Sequence, residues 1–290
     1  MIHDSRRGIL LMLAASFFFA LTMAFAKLLS DSMASVEVTF WRNFVGLLVI
    51  AATFLRRPLH NVGGRPYTLA FRGIVGTIAL MAYFYTISAT SLSNAIIYAK
   101  TEPIFTAILA YFLLDEKLSY KAVLAIAVGF GGVALLSGMT LGYLHVMGIM
   151  TGFLSALAYT SVRSLKAYYD ARTVVLSFMV FGVVIPLLCM IAGEFVTNET
   201  LAFALSPYVA PSGLDWLWIV LMGLAAAFGQ IYMTRAYFYA KAGLVSTVSY
   251  AVVLFASLFG IILGDALPTP IMAAGGVLIV LSGILLAREK

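Results

Sequence analysis

The chain has 290 residues, 63% of them hydrophobic and only 10% charged, with a formal net charge of +6. A soluble domain carries about 25% charged and about 45–50% apolar residues, so an ordinary globular protein is excluded and an all-α integral membrane protein is expected. The basic excess then belongs to cytoplasmic loops rather than to nucleic-acid binding; the single Cys189 excludes an intramolecular disulfide, and His3, His60 and His145 lack ligand spacing, so a metal site is not expected.

A spanning helix needs about 20 apolar residues. Ten segments qualify: 8–29, 36–55, 67–88, 93–114, 119–138, 144–165, 173–193, 214–238, 244–264 and 269–287. The first follows Arg6 and Arg7 and ends in a cleavage-like Ala24-Phe25-Ala26, but its apolar run is about twice a signal-peptide core, so it reads as a retained helix. Lys27 at its outer end is expected to snorkel. The second segment carries Glu37, Trp41 and Arg42 in its outer half. Arg42 suits bidentate contact with a substrate carboxylate, or an ion pair between helices, and Trp41 is grouped with it.

The fourth segment breaks three membrane rules, with Lys100, Glu102 and Pro103 inside it. A charge near the middle of a membrane helix costs roughly 2.5–3.5 kcal/mol on insertion scales, and a proline removes a backbone hydrogen bond and kinks the helix. Read as one helix, the segment places Glu102 roughly 13 Å deep. Asn94, Tyr98, Thr101 and Phe105 share its general face by three- and four-residue spacing. Glu102 is therefore the leading candidate for substrate contact and for binding and releasing a proton; a carboxylate locked to a neighbouring cation is the bland alternative. Lys100, two residues away, does not share that face; it is expected to be structural, directed at Glu37 or the outer end of another helix or snorkelling outward, with binding of an anion or carboxylate as the alternative.

Tyr83 in the third segment, Gln230 in the eighth and Tyr250 in the ninth add polar or aromatic groups within the spans, as do Tyr85, Tyr98, Tyr159, Tyr232 and Tyr237. Each tyrosine alone is ordinary packing; several beside Glu102 would form an aromatic cage for an ammonium or sulfonium group. Gly148-x-x-x-Gly152 and Gly260-x-x-x-Gly264, with Gly129, Gly131 and Gly132, read as close-packing positions. Between the seventh and eighth segments, residues 194–213 form a surface loop with Pro207 and Pro211 and a short interfacial piece at Leu201–Tyr208, followed by Trp216 and Trp218 of an aromatic belt.

With a cytoplasmic N-terminus, Arg6, Arg7, Arg56, Arg57, Arg65, Arg72, Lys117, Lys121, Arg163, Lys166, Arg172, Arg235, Lys241, Arg288 and Lys290 all fall at cytoplasmic ends, leaving Lys27, Arg42 and Lys100 of the 18 basic residues elsewhere. Both termini are therefore expected in the cytoplasm. An internal repeat points the same way: Ala82-Tyr83-Phe84-Tyr85 recurs as Ala236-Tyr237-Phe238-Tyr239, LLDEKLS at 113–119 as ILGDALP at 262–268, and GGVALLSG at 131–138 as GGVLIVLSG at 275–283. Five helices per copy is an odd number, so two inverted five-helix repeats are expected, 1–140 and 141–290, as one structural unit. Inverted repeats commonly place a substrate site at their interface near the midplane.

The chain resembles the drug/metabolite transporter superfamily, in particular its ten-helix EamA-type members. The resemblance rests on FWRN at 40–43, RGIVG at 72–76 and TEPIFTAILAYFLLDEKLS at 101–119. In the second half it rests on TRAYFYAKAGLVSTVSYAVVLFASLFGIILGD at 234–265, followed by Gly275, Gly276 and Gly283. It implies a transporter with no bound cofactor, cytoplasmic termini and a central cavity between the halves. Two departures stand out. The family's fourth span is usually neutral before its proline, where this chain has Lys-Thr-Glu, and the counterpart of Pro103 lies near Val252, so the second half is expected to lack the kink.

Together these readings give a secondary active transporter in a bacterial inner membrane. Its substrate is a small polar organic metabolite, amino-acid-like, amine or otherwise cationic or zwitterionic, moved by alternating access with proton coupling or exchange. No phosphate-binding loop, nucleophile elbow or H-E-x-x-H is present, so an enzyme is not expected. A non-transporting membrane sensor, or less readily a lipid-modifying enzyme, is the alternative.

Overall fold

A segment surrounded by lipid must satisfy its own backbone N–H and C=O groups, which a single segment does only as a helix. The computed structural model describes residues 5–54, 61–114, 119–136, 142–196, 201, 203–240, 245, 248–267 and 269–288, and among them there is no β-strand. The helices are α1 (Ser5–Leu29), α2 (Ser35–Phe54), α3 (Pro66–Ala89), α4 (Leu92–Ala99), α5 (Glu102–Leu114) and α6 (Tyr120–Leu136). They continue with α7 (Tyr143–Leu165), α8 (Ala171–Gly193), α9 (Asp215–Tyr239), α10 (Ala251–Ile262) and α11 (Pro270–Arg288). Of these, 6 are long and apolar enough to cross a membrane: α1, α2, α3, α7, α8 and α9. The remaining expected segments consist of shorter helices. Arg56, Arg57, Lys117, Lys241, Lys290, His3 and His60 lie outside the described residues.

The fourth segment is not one kinked helix. It is two helices separated at Lys100 and Thr101. α4 starts at Ser91, whose Oγ accepts the Asn94 N–H at 3.3 Å, while the Leu92 N–H donates to Asp265 Oδ2 at 2.7 Å. It closes with the Lys100 N–H on the Ile96 carbonyl at 2.9 Å and the Thr101 N–H on the Tyr98 carbonyl at 3.1 Å. Pro103 then falls in the first turn of α5, where a missing N–H costs nothing. The break also accommodates the two charges. Lys100 sits at the C-terminal, partially negative end of α4, and Glu102 at the N-terminal, partially positive end of α5. The run Lys-Thr-Glu-Pro is thus the end of one helix and the start of another.

The ninth segment bends at the corresponding place without a proline. The Ser249 N–H still reaches the Val245 carbonyl at 3.0 Å, but the Val252 and Val253 N–H groups turn back to Ser249 and Tyr250, at 3.2 and 2.9 Å. The expectation that only the first half departs from a straight helix here is therefore corrected: three-residue turn bonds do what Pro103 was thought to do alone.

α1 packs on α9 and α10, α2 on α8 and α9, α3 on α7 and α8, α4 and α5 on α7, and α6 on α11. The principal apolar core gathers Met23, Phe84, Ile96 and Met222 from α1, α3, α4 and α9. Two lysines cap helices across this framework. Lys27 Nζ donates to the Ile87 and Thr90 carbonyls at 3.1 and 2.7 Å, closing the C-terminus of α3, so it does not snorkel. Lys166 Nζ donates to the Phe238 carbonyl at 2.8 Å, closing the C-terminus of α9.

Other expectations are adjusted locally. Within the short piece expected at Leu201–Tyr208, the Ala204 and Leu205 N–H groups both donate to the Leu201 carbonyl, at 2.8 and 2.7 Å, and form a turn. Glu37, fully buried, accepts the Trp41 Nε1–H and the Val209 N–H, both at 3.2 Å, and so pins this loop to α2 rather than meeting Lys100. Gly148 and Gly152 do pack closely, against Tyr98 and Thr101. Gly264 does not belong to a helix face: its φ of +88° makes it a left-handed turn residue that favours glycine. Gly131 meets nothing within 4 Å.

Candidate functional site

Among the helices lies a cavity of about 130 Å³, lined from α1, α2, α3, α4, α5, α7, α8, α9, α10 and the bend at Ser249. Its volume is of the order of the cavity that holds a benzene molecule in an engineered core. Most of the wall is apolar or aromatic, with Phe19, Tyr83, Phe84, Tyr159, Phe178 and Tyr237 contributing rings. Into it project four ionisable groups: Arg42, Arg72, Lys100 and Glu102. A polar constellation at one place in an apolar wall is the general form of a small-molecule site.

Glu102 is 5% exposed and accepts from Thr106 Oγ1 at 3.0 Å, one turn along α5. Lys100 lines the same cavity. On a continuous helix two residues turn through about 200°; the break removes that rotation, so the expectation of different faces fails for a geometric reason. Lys100 Nζ donates to Ser249 Oγ at 2.8 Å and lies 5.5 Å from the centre of the Tyr250 ring.

Arg42 and Arg72 come from α2 and α3, each 3% exposed. Their guanidinium carbons lie 5.2 and 4.6 Å from the centre of the same Phe178 ring, on α8. Arg42 Nη1 donates to Asn43 Oδ1 at 2.7 Å, while the Nε atoms of both arginines are buried without a hydrogen-bond partner. Among the described residues the ion pair within 4.0 Å is Arg172 with Asp170, at the end of the bundle; neither cavity arginine has one. Gly76 makes room for Arg72: a Cβ there would collide with the Arg72 Nη1 atom and with Phe178.

Of the residues singled out from sequence, Glu102, Arg42, Tyr83 and Gln230 meet in this cavity. Tyr83 also donates its hydroxyl to Met23 Sδ at 3.0 Å. Lys100, Tyr159 and Tyr237 line it with them, whereas Asn94, Tyr98, Thr101, Trp41 and Tyr250 do not. Tyr98 is hydrogen-bonded to His145 Nδ1 at 2.5 Å. Thr101 Oγ1 donates to the Tyr98 carbonyl at 2.7 Å and helps close α4. Asn94 Nδ2 faces Met272 Sδ at 3.8 Å, with Oδ1 buried and unpartnered. Trp41 bonds Glu37 and packs edge-on to Trp216, with ring centroids 5.3 Å apart. Tyr250 lies behind Lys100 and touches Gly283. The break accounts for Asn94, Tyr98 and Thr101, since their helical phase with Glu102 does not survive it.

Sequence reasoning overlooked Arg72, which it assigned to the cytoplasmic end. It is the seventh residue of α3, about 9 Å from the helix start. The signal was present in Gly73 and Gly76: both lie against side chains of α8, Phe181 and Phe178. A positive charge flanked by close-packing glycines is placed inside a bundle.

The EamA-like transporter family model matches residues 6–138. An uncharacterized transporter of Helicobacter pylori is 33% identical over 97% of this chain and 94% of its own length. The pseudopaline exporter CntI of Pseudomonas aeruginosa is 28% identical over 98% of this chain and 97% of its own. A solved crystal structure, 20% identical, shares the fold with a TM-score of 0.68 over 97% of this chain and 98% of that one.

Proposed function

The chain belongs to the EamA-like transporter family, and from that membership we propose that it carries a small polar organic metabolite through this cavity by alternating access. It is an integral membrane transporter rather than an enzyme. The observation that carries the reading is the cavity itself. It is lined by helices from both halves of the chain and holds Glu102, Lys100, Arg42 and Arg72 in a mostly apolar wall.

Residues 1–140 and 141–290 act as two inverted five-helix halves around it. Support comes from the packing: moving the principal partners five segments along the chain returns principal partners, with α1 on α9 answered by α7 on α3, and α2 on α9 by α8 on α3. Capping lysines add to it, since Lys27 closes α3 in one half and Lys166 closes α9 in the other. Rocking of the halves exposes the site first to one side and then to the other, as inverted repeats commonly do. Both termini are cytoplasmic and the membrane is a bacterial inner membrane, in keeping with the basic residues gathered at that end.

Glu102 is the proton site. A carboxylate buried at a helix N-terminus changes its proton affinity as the surroundings alternate between dry and hydrated. Three cations beside one acid favour a zwitterionic substrate over a simple amine. The test is uptake of radiolabelled amino acids and organic acids into proteoliposomes under an imposed pH gradient. The wild type accumulates at least one of these solutes, and Glu102→Gln abolishes the dependence on the gradient. Gradient-driven uptake by Glu102→Gln equal to wild type removes Glu102 from the coupling.

A further inference from the structure

We infer that Arg42 and Arg72 form a carboxylate-binding subsite, so that the transported solute is a carboxylate-bearing anion or zwitterion and not an organic cation. The inference rests on the reading of the cavity as the substrate site and goes beyond it by assigning the end of the substrate that each wall receives.

Two guanidinium groups held against one Phe178 ring repel each other, and burial in an apolar wall strengthens that repulsion. A protein keeps buried cations where something pairs with them. Here no carboxylate within 4.0 Å of either is found among the described residues, each side chain is 3% exposed, and each leaves its Nε without a partner. The cavity they line is then the place from which a counter-charge arrives. The planar fork of an arginine matches the two oxygens of a carboxylate, and two such forks on neighbouring helices hold one carboxylate by several charge-assisted hydrogen bonds. Lys100 and Glu102 lie on a different pair of helices and are engaged with Ser249 and Thr106, which leaves the arginine pair as the anion end. Aromatic rings on the remaining walls suit a compact carbon skeleton, and about 130 Å³ limits it to a short one.

Equilibrium binding tests this without requiring transport. The purified full-length chain in detergent is heated with succinate, glutamate, succinamide, 1,4-diaminobutane or inorganic phosphate, and the unfolding midpoint is followed against ligand concentration. The expected result is a saturable rise with succinate and glutamate and none with the neutral diamide, the diamine or phosphate. Arg42→Gln and Arg72→Gln each weaken binding of the acids roughly tenfold or more, with Arg72→Lys intermediate because it keeps the charge but loses the fork. The ligand panel on the unaltered chain decides even where a variant does not fold. Equal stabilisation by succinate and succinamide, stabilisation by the diamine or phosphate alone, or none by either acid overturns the subsite. Saturable binding of the acids with no flux in vesicles would instead leave the subsite standing and remove the transport reading.

Discussion

Lys100, in the break between α4 and α5, donates a 2.8 Å hydrogen bond to Ser249, in the bend before α10. These are the corresponding irregular points of the fourth and ninth segments, so the two halves of the chain are tied to each other where each leaves the regular helix.

That tie sets an order of stabilities. Ser249→Ala leaves the half-buried ammonium short of an acceptor, a loss of at most about 1.5–3 kcal/mol for a hydrogen bond to a charged group. Lys100→Met removes the bond together with the charge that had to be desolvated, and is expected to cost less. Thermal unfolding of the purified variants measures this. A lower midpoint for Lys100→Met than for Ser249→Ala would show that the lysine is held by something other than this contact.

Gly76→Ala probes the arginine pair without touching either arginine. The new methyl group collides with the Arg72 Nη1 atom and crowds the Phe178 ring. Because that atom ends a flexible side chain, the helix tolerates the change at a cost of about 1–3 kcal/mol while the guanidinium is displaced. Binding of succinate is expected to weaken roughly tenfold, about 1.4 kcal/mol, with helical content unchanged by circular dichroism. Unaltered affinity would place Arg72 outside the ligand's reach.

Asp170 gives a pH dependence at the end of the bundle, outside the spans. Burial raises its carboxyl pKa, but the hydrogen bonds and charge of Arg172 outweigh this and leave it below the usual value. A depressed carboxyl contributes stability that is fully present above the unfolded pKa of about 3.9 and is lost as pH falls through the lower folded value. Asp170 also caps α8, accepting the Arg172 N–H at 2.9 Å. Asp170→Asn is expected to unfold at a lower temperature at pH 7, with the gap to wild type narrowing below about pH 4. A gap constant across that range would assign the effect to the cap alone.

How much of this was legible in the sequence depends on what each signal reports. Apolar runs report helices, and each expected segment is helical over most of its described length. Glu102 and Arg42 were legible because a charge inside an apolar run requires a reason, and both line the cavity. The partners of Glu102 were not, because helical phase was carried across Lys100 and Thr101, where the helix stops. Counting prolines hid the bend at Ser249, which uses turn hydrogen bonds instead. Arg72 was hidden by its position near a helix start, where charge alone does not separate a solvated residue from a buried one. Trp41 was grouped with Arg42 by proximity, but adjacent residues on a helix point about 100° apart, and it faces Trp216 and Glu37 while Arg42 faces the cavity.

The central claim, that the cavity opens alternately to the two sides of the membrane, can be tested before the substrate is known. Cys189 is the only cysteine in the chain, so Cys189→Ala with Ser155→Cys places one thiol on the cavity wall. Sealed right-side-out and inside-out vesicles are treated with a membrane-impermeant maleimide. Labelling from both sides is the result this account predicts, each at a rate that falls when succinate or glutamate occupies the site. Labelling from one side only, in both vesicle orientations and with or without these solutes, would contradict it.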